Sequence, residues 1–214
     1  RCDGHLLALN SYENRVYQIG LEDGAKIIAK FYRPQRLSDA AILEEHAFLA
    51  DLTAHELPCV APLRASDEAT LHTAAGFRFA LFARQGGHAP NLESADNLRV
   101  LGRTIARIHQ VGRAGRFRHR PKFTVERLGN ESRGFILAHD FVPAELTDAY
   151  ASVTSHLIDR IASLTLPAEG RIHGDCHPGN VLWRDDAPHF VDFDDTAMGP
   201  AVQDMWMLLS GERD

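Results

Sequence analysis

Residues 171–195 read R-I-H-G-D-C-H-P-G-N-V-L-W-R-D-D-A-P-H-F-V-D-F-D-D, and no other stretch restricts the fold as much. Asp175 precedes Asn180 by five positions, and Asp192 follows after a short apolar and aromatic segment. Carboxylate and amide oxygens are hard donors, suited to a small divalent cation that keeps several of its waters. A chain that brings all three to one point needs a loop for the first pair and a small hairpin that carries the third back beside it. Two other readings stay open. His173, Cys176 and His177 form a candidate zinc cluster, although no second Cys or His pair follows. The stretch also fits a plain polar turn.

With 214 residues and 44% hydrophobic composition the chain can bury a substantial core, as one larger domain or as two small lobes. Its 29 acidic and 23 basic side chains give a formal net charge of -6, which argues against a nucleic-acid partner, since such partners call for clustered positive charge. The basic run over residues 113–122, with Arg116, Arg118, Arg120 and Lys122, is a local exception and reads as a solvated loop. Cys2, Cys59 and Cys176 lie far apart and suggest no disulfide framework, so a reducing, cytoplasmic setting is expected; a monomer is the expected state. No apolar run approaches the roughly 20 residues of a bilayer crossing, so no membrane partner is expected. The chain opens on Arg1 and stops at Asp214 within an expected helix, and both ends are expected to be incomplete.

Hydrophobic periodicity changes along the chain. Residues 5–10 and 15–21 read as strands, Glu22-Asp23-Gly24 supplies a turn, and residues 26–32 follow as a third strand, ended by Arg33-Pro34. Beyond Ser38, a candidate cap, Ile42, Leu43, His46, Phe48, Leu49 and Leu52 recur at helical spacing. Two more strands are expected near residues 63–65 and 77–83, before Gly86-Gly87 breaks the chain. Helices then dominate. Residues 94–111 place Leu98, Leu101, Ile105 and Ile108 on one face, and residues 146–164 do the same with Leu157, Ile158 and Ile161. Short strands return over residues 167–195. The expected class is α+β, bilobal: an antiparallel five-stranded sheet with one helix over residues 1–84, and a mainly helical lobe over residues 85–214.

The pattern H-x-D-x-x-x-x-N, filled by His173, Asp175 and Asn180, matches the catalytic loop of phosphoryl-transfer enzymes. In that chemistry Asp175 accepts or orients the proton of an attacking hydroxyl, while Asn180 and Asp192 hold Mg2+ against the phosphates of ATP. Lys30, inside an apolar strand, is the candidate phosphate-holding cation, because an unpaired ammonium there would be costly to bury. Its carboxylate partner is expected to be Glu45, with Glu44 as the alternative. The two side chains point roughly 100° apart on a helix, so only one faces Lys30. The loop of residues 11–14 lies where a phosphate-covering loop would, with Ser11 and backbone amides as donors, yet it lacks the usual glycines. Ala83 and Arg84 stand where a backbone hinge would meet adenine. Asp194 and Asp195 read either as a lure for a cationic acceptor or as solvated neighbours of the metal ligands. Asp204, in the first turn of a late helix, is a candidate brace for the catalytic loop.

Taken together, H-G-D-C-H-P-G-N and V-D-F-D-D resemble the aminoglycoside phosphotransferase and choline kinase superfamily, whose fold is protein kinase-like. N-S-Y-E-N-R-V-Y-Q, K-F-Y-R-P-Q-R, I-L-E-E-H and G-P-A-V-Q-D-M-W-M-L-L are similar, in combination, to the bacterial stress response kinase A family. That resemblance implies a cytoplasmic serine/threonine protein kinase using Mg2+ and ATP, with a small-molecule kinase of the same fold acting on an amino alcohol, aminoglycoside or sugar, and a catalytically weak pseudokinase or interaction module, as the alternatives. It also implies Asp175 as proton acceptor, Asn180 and Asp192 as metal ligands, Lys30 on the phosphates, Ser11 near ATP, and further C-terminal helical residues. Gly174 replaces the arginine that many protein kinases use to grip a phosphorylated loop, so no such switch is expected. His177 stands where those kinases place a lysine, and is expected to contact the transferring phosphoryl group or its acceptor.

Overall fold

Strand-forming sequence at the start of the chain closes into a meander because Gly24, at φ +83°, makes the turn between the second and third strands. The computed structural model describes residues 1–9, 11, 13–165 and 168–209. Asn10, Tyr12, Pro167 and residues 210–214, which the sequence reading included in a strand, a loop, a strand-bearing segment and a helix, lie outside the described residues. Strands β1 (Cys2–Leu9), β2 (Arg15–Leu21) and β3 (Lys26–Phe31) pair antiparallel in that order. Helix α1 (Asp39–Ala54) starts where the Ser38 side chain accepts the Ala41 N–H at 3.2 Å.

The fourth strand is not where the sequence placed it. Residues 63–65 form no strand; Pro62 makes a single bridge to Phe82, and proline has no N–H to extend a ladder. Instead β4 (His72–Ala74) and β5 (Phe77–Ala83) form a hairpin closed by Ala75 and Gly76, both at positive φ. The sheet order is β1-β2-β3-β5-β4, five strands in all.

Helix α1 lies between this sheet and the helical lobe. Tyr32, Ile42, Ala80 and Phe82 form a small core on the sheet side. On the other side Phe48, Leu49 and Leu52 pack with Leu101, Ile105 and Ile108 of α2 (Ala95–Arg113) and with Trp183, Phe190 and Phe193. A π-helical turn (Glu126–Glu131), α3 (Ser132–Ala138) and α4 (Thr147–Ala162) follow, the first two unforeseen from sequence. Leu157 and Ile161, expected on the packing face of α4, remain about half exposed. Two short ladders position the site: β6 (Gly170–Ile172) with β9 (Ala197–Gly199), and β7 (Val181–Arg184) with β8 (Ala187–Phe190). Asp185 and Asp186, both at positive φ, turn the second of these. A four-residue helix, α5 (Gln203–Trp206), is the last element among the described residues.

Candidate active site

The loop between β6 and β7 carries Asp175 and Asn180, and it is held from beneath. Asp204, buried in α5, accepts the backbone N–H groups of His173 and Gly174, each at 2.8 Å, and the Nε2–H of His109 at 2.8 Å. His173 is buried and directs Nε2 to the Val191 carbonyl at 2.9 Å, which ties the loop to the strand end before Asp192. None of these bonds uses the Asp175 carboxylate. Its side chain is 39% exposed, and Asn180 donates from Nδ2 to the Asp175 carbonyl at 2.9 Å and to Oδ2 at 3.3 Å. With the amide nitrogen so used, the Asn180 oxygen is left for the cleft.

Gly174 is required here. It sits at φ +90°, and a Cβ would collide with the Asp195 carbonyl oxygen, so no arginine fits where many protein kinases carry one. The zinc reading fails on the same geometry. His173 and Cys176 are buried, and among the described residues no group of three His, Cys, Asp or Glu side chains is arranged to hold a metal.

Asp192 follows β8 in the left-handed region, φ 59° and ψ 66°, which is uncommon for a residue with a side chain. That turn sends Phe193 into the core while the Asp192 side chain stays 51% exposed at the cleft. Lys30 reaches toward it from β3, with Nζ 3.5 Å from Asp192 Oδ1 and 3.5 Å from Glu45 Oε1. Glu45, not Glu44, is therefore the acid that faces the lysine. The third partner of Lys30 is Asp194, in direct ion-pair contact. Burial alone would depress the Lys30 pKa, but Asp194, then Glu45, hold it well above the usual lysine range. For Glu45, burial raises the carboxyl pKa against the pull of Lys30 and Arg120. The Tyr32 and Phe82 rings lie 5.4 and 5.9 Å from Lys30 Nζ and complete the ammonium's seat.

Asp194 corrects the sequence reading. It is 7% exposed and pairs with Lys30, so it is neither a solvated neighbour nor a lure for a cationic acceptor. Asn14 also donates to it, and the Asn14 Oδ1 accepts the Arg33 N–H at 3.0 Å. Arg36 pairs with Glu13 and with Asp195 at 2.9 Å, joining the β1–β2 connection to the turn. Sequence reasoning gave Asn14 and Arg36 no role. The signal available was their place inside the N-S-Y-E-N-R and K-F-Y-R-P-Q-R blocks. The basic run over residues 113–122 is likewise no simple solvated loop, because Arg120 is 4% exposed and points at the same turn.

One cavity of about 350 Å³ gathers Ser11, Lys30, Glu45, Ala83, Asn180 and Asp192 on its walls, with Ile28, Phe82, Leu182 and Val191 as apolar lining. Asp175 lies beside it through Asn180. Ser11 accepts the Asn14 N–H at 3.3 Å, so its hydroxyl also shapes the β1–β2 connection. His177 does not line the cavity. Its Nδ1 accepts the Gly179 N–H at 3.0 Å, which leaves the proton on Nε2, 3.7 Å from Asp175 Oδ2. The donor set suits Mg2+: two hard oxygens at a polar wall, with room for phosphates to supply the rest.

A family model described as the phosphotransferase enzyme family matches residues 5–214. Stress response kinase A of Escherichia coli (strain K12) is 42% identical over 218 residues, covering 100% of this chain and 65% of that protein. Serine/threonine protein kinase RdoA of Salmonella typhimurium is 41% identical, covering 99% of this chain and 64% of its own. The chain thus spans a little under two thirds of the length of these curated relatives. Among solved structures, amicoumacin kinase hAmiN in complex with AMP-PNP, Ca2+ and Ami superposes with a TM-score of 0.78 at 20% identity, over 96% of this chain and 63% of that one. The microcompartment-associated aminopropanol kinase gives 0.77 at 22% identity, over 97% and 69%. These two share the α+β, protein kinase-like fold. Among the described residues, no helix is long and apolar enough to cross a membrane.

Proposed function

The chain belongs to the phosphotransferase enzyme family, and from that premise we propose that it transfers the γ-phosphoryl group of ATP to an alcohol, with protein serine and threonine hydroxyls as the acceptor class. The observation that carries the proposal is the meeting of Lys30, Asn180 and Asp192 in one cleft with Asp175 at its edge. The boundary at residues 84 and 85 is taken as the hinge between lobes, where the Ala83 backbone meets adenine. Lys30 holds the phosphates, and Glu45 and Asp194 fix its ammonium so that little reorganisation is needed when charge develops. Asn180 and Asp192 would hold Mg2+, which when bound would supply positive charge against the phosphate oxygens. Asp175 orients the acceptor hydroxyl and takes its proton. His177, with a proton on Nε2 next to Asp175, donates to the acceptor or to the transferring group.

The serine/threonine acceptor is supported by the names of the relatives at 41–42% identity. A small-molecule alcohol is the second reading, because the kinases of like fold are named for amicoumacin and aminopropanol. Labelled ATP offered with a casein-type protein and with a panel of amino alcohols separates the two. Label is expected on protein and absent with Asp175→Asn. Label on small alcohols alone would move the acceptor class. Nucleotide binding with no transfer to either would make the chain an interaction module.

A further inference from the structure

Arg120 comes from the segment after α2 that the sequence reading assigned to solvent, yet its side chain is fully buried. Its guanidinium donates to the Thr196 carbonyl at 2.8 Å, to the Phe193 carbonyl at 3.4 Å and to the Asp194 carbonyl, and reaches Glu45 Oε2 at 3.5 Å. Three carbonyls of the turn that follows Asp192 thus converge on one cation, which also faces the acid that pairs with Lys30. The backbone of Arg120 is itself seated. Glu44 accepts the N–H groups of Arg118 at 2.7 Å, His119 at 2.9 Å and Arg120 at 3.0 Å. The adjacent acids of α1 therefore grip both ends of one arginine: Glu44 its backbone, Glu45 its head.

We propose that Arg120 is a positioning residue for the metal-binding turn, fixing Asp192 and Glu45 relative to one another without any phosphorylated loop. The proposal rests on the phosphotransferase reading and deepens it. Asp192 occupies a left-handed backbone conformation, uncommon for a residue with a side chain, and bonds to the carbonyls that follow it help to hold that turn. Without Arg120 the buried Asp194 and Thr196 carbonyls would lose a charged donor, while that of Phe193 keeps the Thr196 N–H at 3.0 Å, and a planar fork with five donors serves several acceptors at once. Lysine, a point charge with three donors on a flexible stem, does not reproduce this. With the arginine of other kinases excluded sterically at Gly174, Arg120 meets the turn's carbonyls while Lys30 and Arg36 meet its acids.

Amide hydrogen exchange on the nucleotide-free full chain, together with AMP-PNP binding measured with and without Mg2+, tests the inference on Arg120→Lys and Arg120→Met. Peptides over residues 192–196 and 41–48 should exchange about tenfold faster, with those in α2 unchanged, because bonds from a charged donor are lost locally. The gain in AMP-PNP affinity on adding Mg2+ should shrink by about tenfold, while metal-free affinity moves less than about threefold, since the turn and not the phosphate seat is loosened. Either readout unchanged in folded Arg120→Lys overturns the proposal. If both Arg120 variants fail to fold, Glu44→Gln loosens only the backbone seat and should quicken exchange over the same peptides by about threefold, and unchanged exchange there overturns it. Wild-type chain that binds no nucleotide in either condition sinks the phosphotransferase reading instead, and exchange alone then decides whether Arg120 holds the turn.

Discussion

The loop carrying Asp175 and the turn carrying Asp192 face the same cleft, yet they are held in different ways. The loop hangs on backbone donors aimed at Asp204 and on the His173 ring, and the Asp175 carboxylate has the Asn180 amide as a partner and is 39% exposed. The turn is packed in charge: Lys30, Arg36 and Arg120 against Glu45, Asp194 and Asp195. A group that must take a proton and release it benefits from solvent and few fixed partners. On the proposed roles, a group that holds a dication in register benefits from opposed charges packed around it.

Asp175→Asn strikes the open region and should give the largest effect. Turnover should fall roughly 10³-fold, the contribution typical of a positioned general base, while thermal stability stays within about 1 kcal/mol because no buried ion loses a partner. Steady-state transfer assays beside urea melts measure both. Comparable loss of stability would break the contrast, since it would make Asp175 part of the charged lattice.

Lys30→Met strikes the packed region. Removing the cation leaves Glu45 and Asp194 facing each other with less compensation, and the cost should be about 3 to 4 kcal/mol of folding stability. The sign of the pH response sharpens the case. Without Lys30 the Glu45 carboxyl, already raised by burial, titrates higher still in the folded state. A raised folded pKa gives stability at low pH that is lost as pH rises, so the deficit should be smaller at pH 5 than at pH 8. Urea midpoints at those two pH values give the answer.

The divide between the two regions also explains what could be read from sequence. Asp175, Asn180 and Asp192 were legible because their spacing is local, set by one loop and one hairpin. Ser38 and Gly24 announced a helix start and a strand end through a side-chain cap and a turn. Asp194 and Arg120 were not legible, because each owes its role to partners 164 and 74 residues away, Lys30 and Asp194 respectively. Position β4 failed for another reason. Its hairpin turns on Ala75-Gly76, a weaker signal than the Asn-Gly or Asp-Gly pairs that mark hairpins, and the strand was placed near residues 63–65 instead.

Beneath the charged lattice lies a neutral one. Tyr32 Oη and His46 Nε2 are 2.8 Å apart, and His46 Nδ1 is 2.8 Å from Thr70 Oγ1. Burial, then the Lys30 charge, lowers the His46 pKa from 6.5 to about 4. A base whose folded pKa is depressed favours the unfolded state as it protonates, so stability is full above pH 6.5 and declines as pH falls toward about 4. The decline attributable to this residue is on the order of 3 kcal/mol by linkage. In His46→Gln the slope over that window should flatten, and an unchanged slope would assign it to the carboxylates instead.

Glu44→Gln should produce the smallest change, and it probes the join between the two regions. Glu44 is only partly buried and its three partners are backbone N–H groups, so the amide oxygen of glutamine can still accept from one of them. What disappears is the negative charge and the second oxygen. Hydrogen bonds to a charged acceptor are worth about 1.5 to 3 kcal/mol when buried, and partial exposure brings the expected loss to about 1 kcal/mol. Because the partners are dipoles and not ions, that loss should change little between 0.05 and 0.5 M salt, when screening would erase most of an exposed ion pair. A loss that vanishes at high salt would mean that Glu44 acts on the cations of the 113–122 run as a whole, and that the seat of Arg120 is electrostatic rather than built from backbone bonds.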